Sequence, residues 1–253
     1  VRRGLARSRE HAAELVTSGL VTVAGQVATK AATAVEATTP LQVQLPAGPS
    51  YASRGGHKLA GALDAFGYDP AGQRALDAGA STGGFTDVLL RRGARHVVAA
   101  DVGYGQLAWS LQTDDRVTVL DRTNVRALTP EQVGVPVDLV VADLSFIPLA
   151  IVLPALVRCA APEADLLLMV KPQFEVGRSR LPRGGVVRDP GLRADTVRTV
   201  AGHAARLGLG VRGITASPLP GPSGNVEYFL WLHTDAPPLD EELLARAVST
   251  GPQ

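Results

Sequence analysis

Leu76-Asp77-Ala78-Gly79-Ala80-Ser81-Thr82-Gly83-Gly84-Phe85 is the stretch on which the fold turns. The apolar run Arg74–Ala78 reads as a strand, small residues follow, and helical spacing of apolar side chains resumes from about Phe85 to Arg92. A strand that ends in such a turn and opens a helix lets a ligand approach the main chain and aims free helix N–H groups at it. Close packing alone would also account for the glycines. Outward from this unit the pattern repeats, with strands at His96–Ala100, Val117–Leu120, Val137–Asp143 and Asp165–Val170. Helices are expected near His57–Phe66, Gly105–Leu111, Leu149–Cys159 and Leu192–Leu207. A loop rich in Gly, Pro and Arg covers Pro172–Pro190. Alternating strands and helices predict an α/β fold, a largely parallel sheet wrapped by helices. The last two strands, Val211–Ala216 and Asn225–Leu232, lack a helix between them, so a closing hairpin and one antiparallel strand are expected.

The N-terminal stretch follows a different pattern. Ser8 reads as an N-cap, Ala12, Leu15 and Val16 recur at helical spacing, and Gly19 is a natural stop. Leu20-Val21-Thr22-Val23, the turn Ala24-Gly25 and Gln26–Thr29 read as a hairpin, with a further strand at Leu41–Leu45. Pro46-Ala47-Gly48-Pro49-Ser50 is a linker by composition. The organisation expected is a small unit over 1–45, a linker over 46–52 and the main domain over 53–253. So short an N-terminal unit has a marginal core of its own. Residues 1–60 hold seven basic and three acidic side chains, whereas the whole 253-residue chain carries a net charge of +1. A basic module on a nearly neutral body suits a polyanion, although solvated arginines would give the same count.

Composition excludes several classes. Apolar residues make up 45% and charged residues 19%, which suits a packed domain rather than a disordered chain. Cys159 is the single cysteine, which excludes an internal disulfide and points to a reducing cytoplasm. It ends an apolar helical stretch and reads as core packing. No apolar run approaches the ~20 residues that span a bilayer, and no apolar segment follows the basic start, so neither a membrane span nor a signal peptide is expected.

Acids end the strands after the glycine turn. Asp101 lies 22 residues beyond Gly79, and Asp121 ends the third strand. A carboxylate there accepts hydrogen bonds from ribose hydroxyls, which places a nucleoside pocket at the strand C-termini. The turn G-A-S-T-G-G lacks the second glycine of the dinucleotide fingerprint G-x-G-x-x-G. S-adenosylmethionine needs no pyrophosphate clamp and fits the spacing better than nicotinamide or flavin. The candidate cofactor residues are Asp77, Gly79, Ser81, Thr82, Gly83, Phe85, Asp101 and Asp121.

The fourth strand ends Val140-Val141-Ala142-Asp143-Leu144-Ser145-Phe146, without the Asn/Asp-Pro-Pro-aromatic tetrad of amine methylation. With Cys159 read as packing, no cysteine nucleophile remains for carbon methylation, and an oxygen acceptor is favoured. Lys171 follows the apolar run Leu166–Val170, where a solvated strand end is the alternative. Glu227 lies in the apolar Asn225-Val226-Glu227-Tyr228-Phe229-Leu230-Trp231, where a carboxylate needs a partner. Lys58, in Ser53-Arg54-Gly55-Gly56-His57-Lys58-Leu59, opens a helix over the same edge.

Lys58, Asp143, Lys171 and Glu227 together resemble the Lys-Asp-Lys-Glu tetrad of FtsJ-like ribose 2′-O-methyltransferases. The stretches S-R-G-G-H-K-L, D-A-G-A-S-T-G-G-F-T-D, D-R-T-N-V-R, V-A-D-L-S-F, V-K-P-Q-F-E and N-V-E-Y-F resemble the TlyA (haemolysin A-like) family of ribosomal RNA methyltransferases. Gly4–Glu10 with Val23-Ala24-Gly25 is similar to an S4 RNA-binding domain, and on that resemblance the start is expected to fall short of the domain's first helix. The linker reads Pro49-Ser50-Tyr51-Ala52, where relatives carry a basic residue and a tryptophan. The resemblance implies a Rossmann-like S-adenosylmethionine-dependent methyltransferase with a small S4-like α+β domain. It implies methylation of cytidine 2′-oxygens in ribosomal RNA of the small and large subunits. The haemolysin name suggests membrane lysis, but nothing in the sequence could span or coat a membrane, so a cytoplasmic protein with no metal, membrane or protein partner is expected. A non-catalytic ribosome assembly factor and a small-molecule O-methyltransferase are the competing readings.

Lys171 is expected to act as general base, with Asp143 and Glu227 orienting it and Lys58 aligning the substrate. Repulsion from Lys58 and partial burial are expected to favour the free amine of Lys171, with Asp143 and Glu227 opposing them. The candidate RNA contacts are Arg7, Arg9, Lys30, Arg54, Arg122 and Arg126. Phe146 is a candidate for stacking on an extruded base, or equally for core packing. Arg178, Arg180, Arg183 and Arg188 form a loop that meets RNA or is simply solvated.

Overall fold

The computed structural model describes residues 1–6, 9–17, 20–28, 30–32, 34–36, 38–43 and 50–252. The chain divides into two units, Val1–Ser50 and Tyr51–Gln253. In the first, helix α1 (Arg9–Thr17) precedes strands β1 (Val21–Val23), β2 (Gln26–Val27) and β3 (Leu41–Val43), paired antiparallel in the order β2-β1-β3. Ala24 and Gly25 take φ of 49° and 83°, the two positive values that match a two-residue loop to the twist of its strands. Among the described residues of this unit only Leu15 and Thr22 are buried, so its core is as thin as its length implies. The expected cap Ser8, stop Gly19 and linker residues 46–49 lie outside the described residues.

The second unit opens with α2 (Gly55–Phe66), β4 (Arg74–Ala78), α3 (Gly84–Arg91), β5 (His96–Ala100), α4 (Trp109–Gln112) and β6 (Val117–Leu120). It continues through α5 (Pro130–Val133), β7 (Val137–Ala142), α6 (Leu149–Cys159), β8 (Ala160–Val170) and α7 (Pro172–Glu175). Helix α8 (Pro190–Ala205), strands β9 (Gly210–Ala216) and β10 (Tyr228–His233) and helix α9 (Glu241–Thr250) complete it. The strands form one seven-stranded sheet in the order β6-β5-β4-β7-β8-β10-β9. Strands β4 to β8 run parallel and β10 runs against both its neighbours, as the missing helix before it predicts.

Alternation along the central strands sends side chains to two cores. Leu76, Val98, Val140, Leu168 and Leu230 face α6, α8 and α9. Ala75, Val97, Val141, Leu167 and Phe229 face α2 and α3. Cys159 is 1% exposed in the first of these cores, as its setting implies.

Four expectations need correction. Helix α4 is only Trp109–Gln112, because Gly105 ahead of it holds a φ of 64° that no helix continues. The loop after Lys171 begins with a helical turn, α7. Glu227 precedes its strand rather than lying in it, although its carbonyl accepts from Ser217 N at 2.8 Å. Helix α9 has no counterpart in the sequence reading, yet buries Leu244, Ala247 and Val248 at helical spacing and is capped by Asp240. No helix among the described residues is long and apolar enough to cross a membrane.

Candidate active site

Strand register brings the acids together. Ala78 lies level with Ala100 and with Ala142, and Ala100 level with Leu120. One residue further, Gly79, Asp101, Asp121 and Asp143 share a single line across the C-terminal rim of the sheet. Tyr228 pairs antiparallel with Val170, so Glu227 lies level with Lys171 at the same rim. Lys58 arrives from α2, which crosses close to the start of α3: a Cβ on Gly84 would collide with Ser53 Oγ and Gly56 N. Glycines at this crossing therefore set how near Lys58 can come to the rim.

On one side of the line the turn after β4 organises two carboxylates. Ser81 N and Gly103 N donate to the two oxygens of Asp101 at 2.9 and 2.7 Å. Gly105 N donates to Asp121 at 3.0 Å. Main-chain donors fix both carboxylates and leave each oxygen a lone pair for a further donor. Part of the glycine requirement is packing: Gly79 has a φ of 87°, and a Cβ there would lie 2.8 Å from Asp143 O. Gly83, at a φ of 95°, closes against Leu107 and Leu111, while Ser81 and Thr82 are exposed on the turn. Asp77 lies fully buried beneath it, accepting from Thr86 Oγ1 at 2.7 Å with its other oxygen unpartnered. Burial pushes its carboxyl up to about 7, partly offset by the Thr86 bond. Phe85 is 3% exposed and stacks on Phe229 at 5.9 Å, so its ring belongs to the core below the turn.

On the other side stand two ion pairs. Lys58 Nζ lies 2.5 Å from Glu227 Oε2, and Lys171 Nζ 2.5 Å from Asp143 Oδ1. Each lysine thus has its own carboxylate, which corrects the expectation that Asp143 and Glu227 both orient Lys171: Asp143 pairs with Lys171, whereas Glu227 pairs with Lys58. Lys171 also donates to Ser145 Oγ at 3.1 Å, and Gln173 Nε2 reaches Glu227 Oε1 at 3.5 Å. Glu175 accepts from Leu149 N at 2.8 Å, holding the first turn of α6, and burial pushes its carboxyl up to about 7. Sequence reasoning assigned no role to Ser145, Gln173 or Glu175, although all three fall inside the motifs V-A-D-L-S-F and V-K-P-Q-F-E.

Phe146 is not core packing. It is 90% exposed, holds a φ of 64° that is strained for a bulky side chain, and meets Phe174 with ring centres 5.0 Å apart. Arg122 lies over the Tyr104 ring at 4.3 Å, and Arg126 is exposed nearby in sequence. Arg54 is half-buried at the start of α2. In the first unit Arg9 and Lys30 are exposed, and Arg7 lies outside the described residues.

Comparison with known proteins adds an independent line. Residues 51–234 match the FtsJ-like methyltransferase family and residues 1–39 the S4 domain. The chain is 62% identical to the 16S/23S rRNA (cytidine-2′-O)-methyltransferase TlyA of Mycobacterium tuberculosis, covering 100% of this chain and 96% of that protein. It is 34% identical to Hemolysin A of Brachyspira hyodysenteriae, over 89% of this chain and 93% of the relative. A solved structure described as a hemolysin from Streptococcus thermophilus superposes with a TM-score of 0.80 at 36% identity, covering 98% of this chain and 93% of that one. An S-adenosylmethionine dependent methyltransferase from Mesorhizobium loti shares the fold, with a TM-score of 0.50 at 15% identity over 68% of this chain and 96% of that one.

Proposed function

The chain belongs to the FtsJ-like methyltransferase family, in its haemolysin A-like branch, and from that premise we propose that it methylates cytidine 2′-hydroxyls of ribosomal RNA in the cytoplasm, with S-adenosylmethionine as donor. The observation that carries this reading is the pair of lysine–carboxylate contacts at the rim that also holds Gly79, Asp101 and Asp121. Two oriented carboxylates beside a main-chain turn fit a nucleoside: Asp101 and Asp121 would take its ribose and base edge, and the turn Gly79–Gly83 its approach to the backbone. Asp77 braces that turn from below through Thr86, and Phe85 fixes the helix that follows. When bound, the donor supplies an electrophilic methyl carbon on a sulfonium.

A ribose hydroxyl is a poor nucleophile until its proton leaves. Lys171 receives that proton, and Ser145 Oγ, exposed and 3.1 Å from Nζ, gives it a route to water. Asp143 orients Lys171, Glu227 orients Lys58, and Lys58 aligns the acceptor. Much of the rate comes from holding the acceptor oxygen in line with the methyl group. Phe146 offers a face on which an extruded base can stack. Arg9 and Lys30, with Arg7, would neutralise phosphates from the S4-like unit, and Arg54, Arg122 and Arg126 from the second.

Single-turnover methylation of purified small and large subunits and of naked ribosomal RNA, with labelled donor, tests the reading. Wild type should label RNA and leave small phenols unlabelled; the reverse would overturn the substrate assignment. Lys171→Ala and Lys171→Arg should both lose about 10²- to 10⁴-fold, and near-wild-type rates at saturating RNA would reject the base.

A further inference from the structure

Between α7 and α8 runs a loop, residues 176–189, that carries Arg178, Arg180, Arg183 and Arg188. All four are exposed. Elsewhere in this unit arginines such as Arg91, Arg92, Arg116 and Arg198 lie against carboxylates. Among the described residues none of the four loop arginines is in an ion pair. The one acid of the loop, Asp189, is already engaged, because its side chain accepts from Gly191 N and Leu192 N and caps α8.

The loop is held as well as charged. Val187 is 1% exposed, and its N–H donates to Asn225 Oδ1 at 2.9 Å. The same Asn225 amide donates through Nδ2 to Gly185 O, also at 2.9 Å. Val187 O accepts from the buried Arg193 Nε at 2.9 Å. A loop whose only task was to stay solvated would need none of these buried bonds. Both of its ends lead to the reactive rim. At its start α7 connects it directly to Lys171, and at its end Asn225 stands two residues before Glu227.

We propose that this loop is a phosphate-contact surface for the RNA strand that flanks the methylated nucleotide, with Asn225 fixing its arginines relative to Glu227. The proposal rests on the RNA-methyltransferase reading above. Arginine suits the task because its planar fork meets phosphate oxygens in pairs. Arg178, Arg183 and Arg188 are the contacts, since Arg180 spends its Nε on Val176 O at 3.1 Å. Asn225 is a positioning residue.

The test compares wild type, the triple variant Arg178→Ala/Arg183→Ala/Arg188→Ala and Asn225→Ala. KM for ribosomal subunits is measured across a salt titration, and cofactor affinity by calorimetry serves as the control for folding. The triple variant should raise KM about tenfold or more at moderate salt and flatten the log–log salt slope by roughly two, for three phosphates on a single strand. Its cofactor affinity should match wild type. Asn225→Ala should raise KM with every arginine present and speed amide exchange at Val187. A triple variant with wild-type KM and slope overturns the loop assignment and leaves the RNA reading standing, as does a KM rise traced only to lost cofactor affinity. Wild type that labels no ribosomal RNA overturns both.

Discussion

The two lysine–carboxylate pairs share a chemistry and a 2.5 Å separation, but not an environment. Lys58 and Glu227 have side chains 9% and 1% exposed, so both charges are out of water. Lys171 is equally buried, whereas Asp143 is 21% exposed and the lysine also touches the exposed Ser145. A closed pair holds elements together and strongly penalises the loss of one partner. A pair open to the rim can exchange a proton and meet a substrate. The same pairing of ammonium with carboxylate thus does different work at two places along the sheet edge.

The comparison breaks most sharply at the lysines. Lys171→Met should cut single-turnover methylation by about 10³-fold while thermal unfolding shifts less than for a change at Glu227, because Asp143 is partly open to water and Glu227 is not. A large loss of melting temperature with activity retained would reverse the assignment of the two pairs. Next in size is Glu227→Ala, which strands the Lys58 ammonium and should cost about 3–5 kcal/mol in denaturant unfolding; Asp143→Ala should cost well under half of that. Equal losses would mean that both pairs are structural. The double change Lys58→Met with Glu227→Leu should recover most of that stability without recovering activity, since an apolar pair of similar volume fills the closed site.

The smallest effect concerns Glu175, whose bond to Leu149 N steadies the segment bearing Asp143 and Ser145. Its carboxyl lies at about 7 in the folded chain against 4.5 as the reference. The folded state therefore binds the extra proton, and stability is lost as pH rises from about 4.5 through about 7, at no more than about 1.4 kcal/mol per pH unit. Glu175→Gln keeps an acceptor for Leu149 N and should flatten that slope. An unchanged slope would assign the pH dependence to Asp77, which burial shifts in the same direction.

Where the chain was legible, local pattern and pocket edge coincide. Asp101, Asp121 and Asp143 each follow an apolar run whose length gives away the strand end. Those strands and α6 stand where the alternation of side chains puts them. Glu227 was legible as a buried acid but not as a residue ahead of its strand, because a tight approach (Gly221 packs on its carboxylate) leaves no periodic trace. Short helices such as α4 and α7 have too few turns to show a period. The bonds Lys58–Glu227, Lys171–Ser145 and Val187–Asn225 join residues 169, 26 and 38 positions apart. No window along the sequence contains them. Phe146 was ambiguous for another reason: an aromatic residue among apolar neighbours reads as buried, and only its backbone conformation turns it outward.

Strand β10 runs against its neighbours, so its beginning, not its end, meets the rim. Asp143 and Lys171 are delivered by strands arriving there, Glu227 by one departing. The hairpin from Ala216 to Tyr228 consequently works as a ruler. Adding a single residue between Glu227 and Tyr228 would swing the carboxylate to the opposite side of the pleat, while lengthening the exposed bend at 222–224 would leave it where it is. Insertions tolerated in one half of that connection and lethal to turnover in the other would be the genetic signature of this reversed strand.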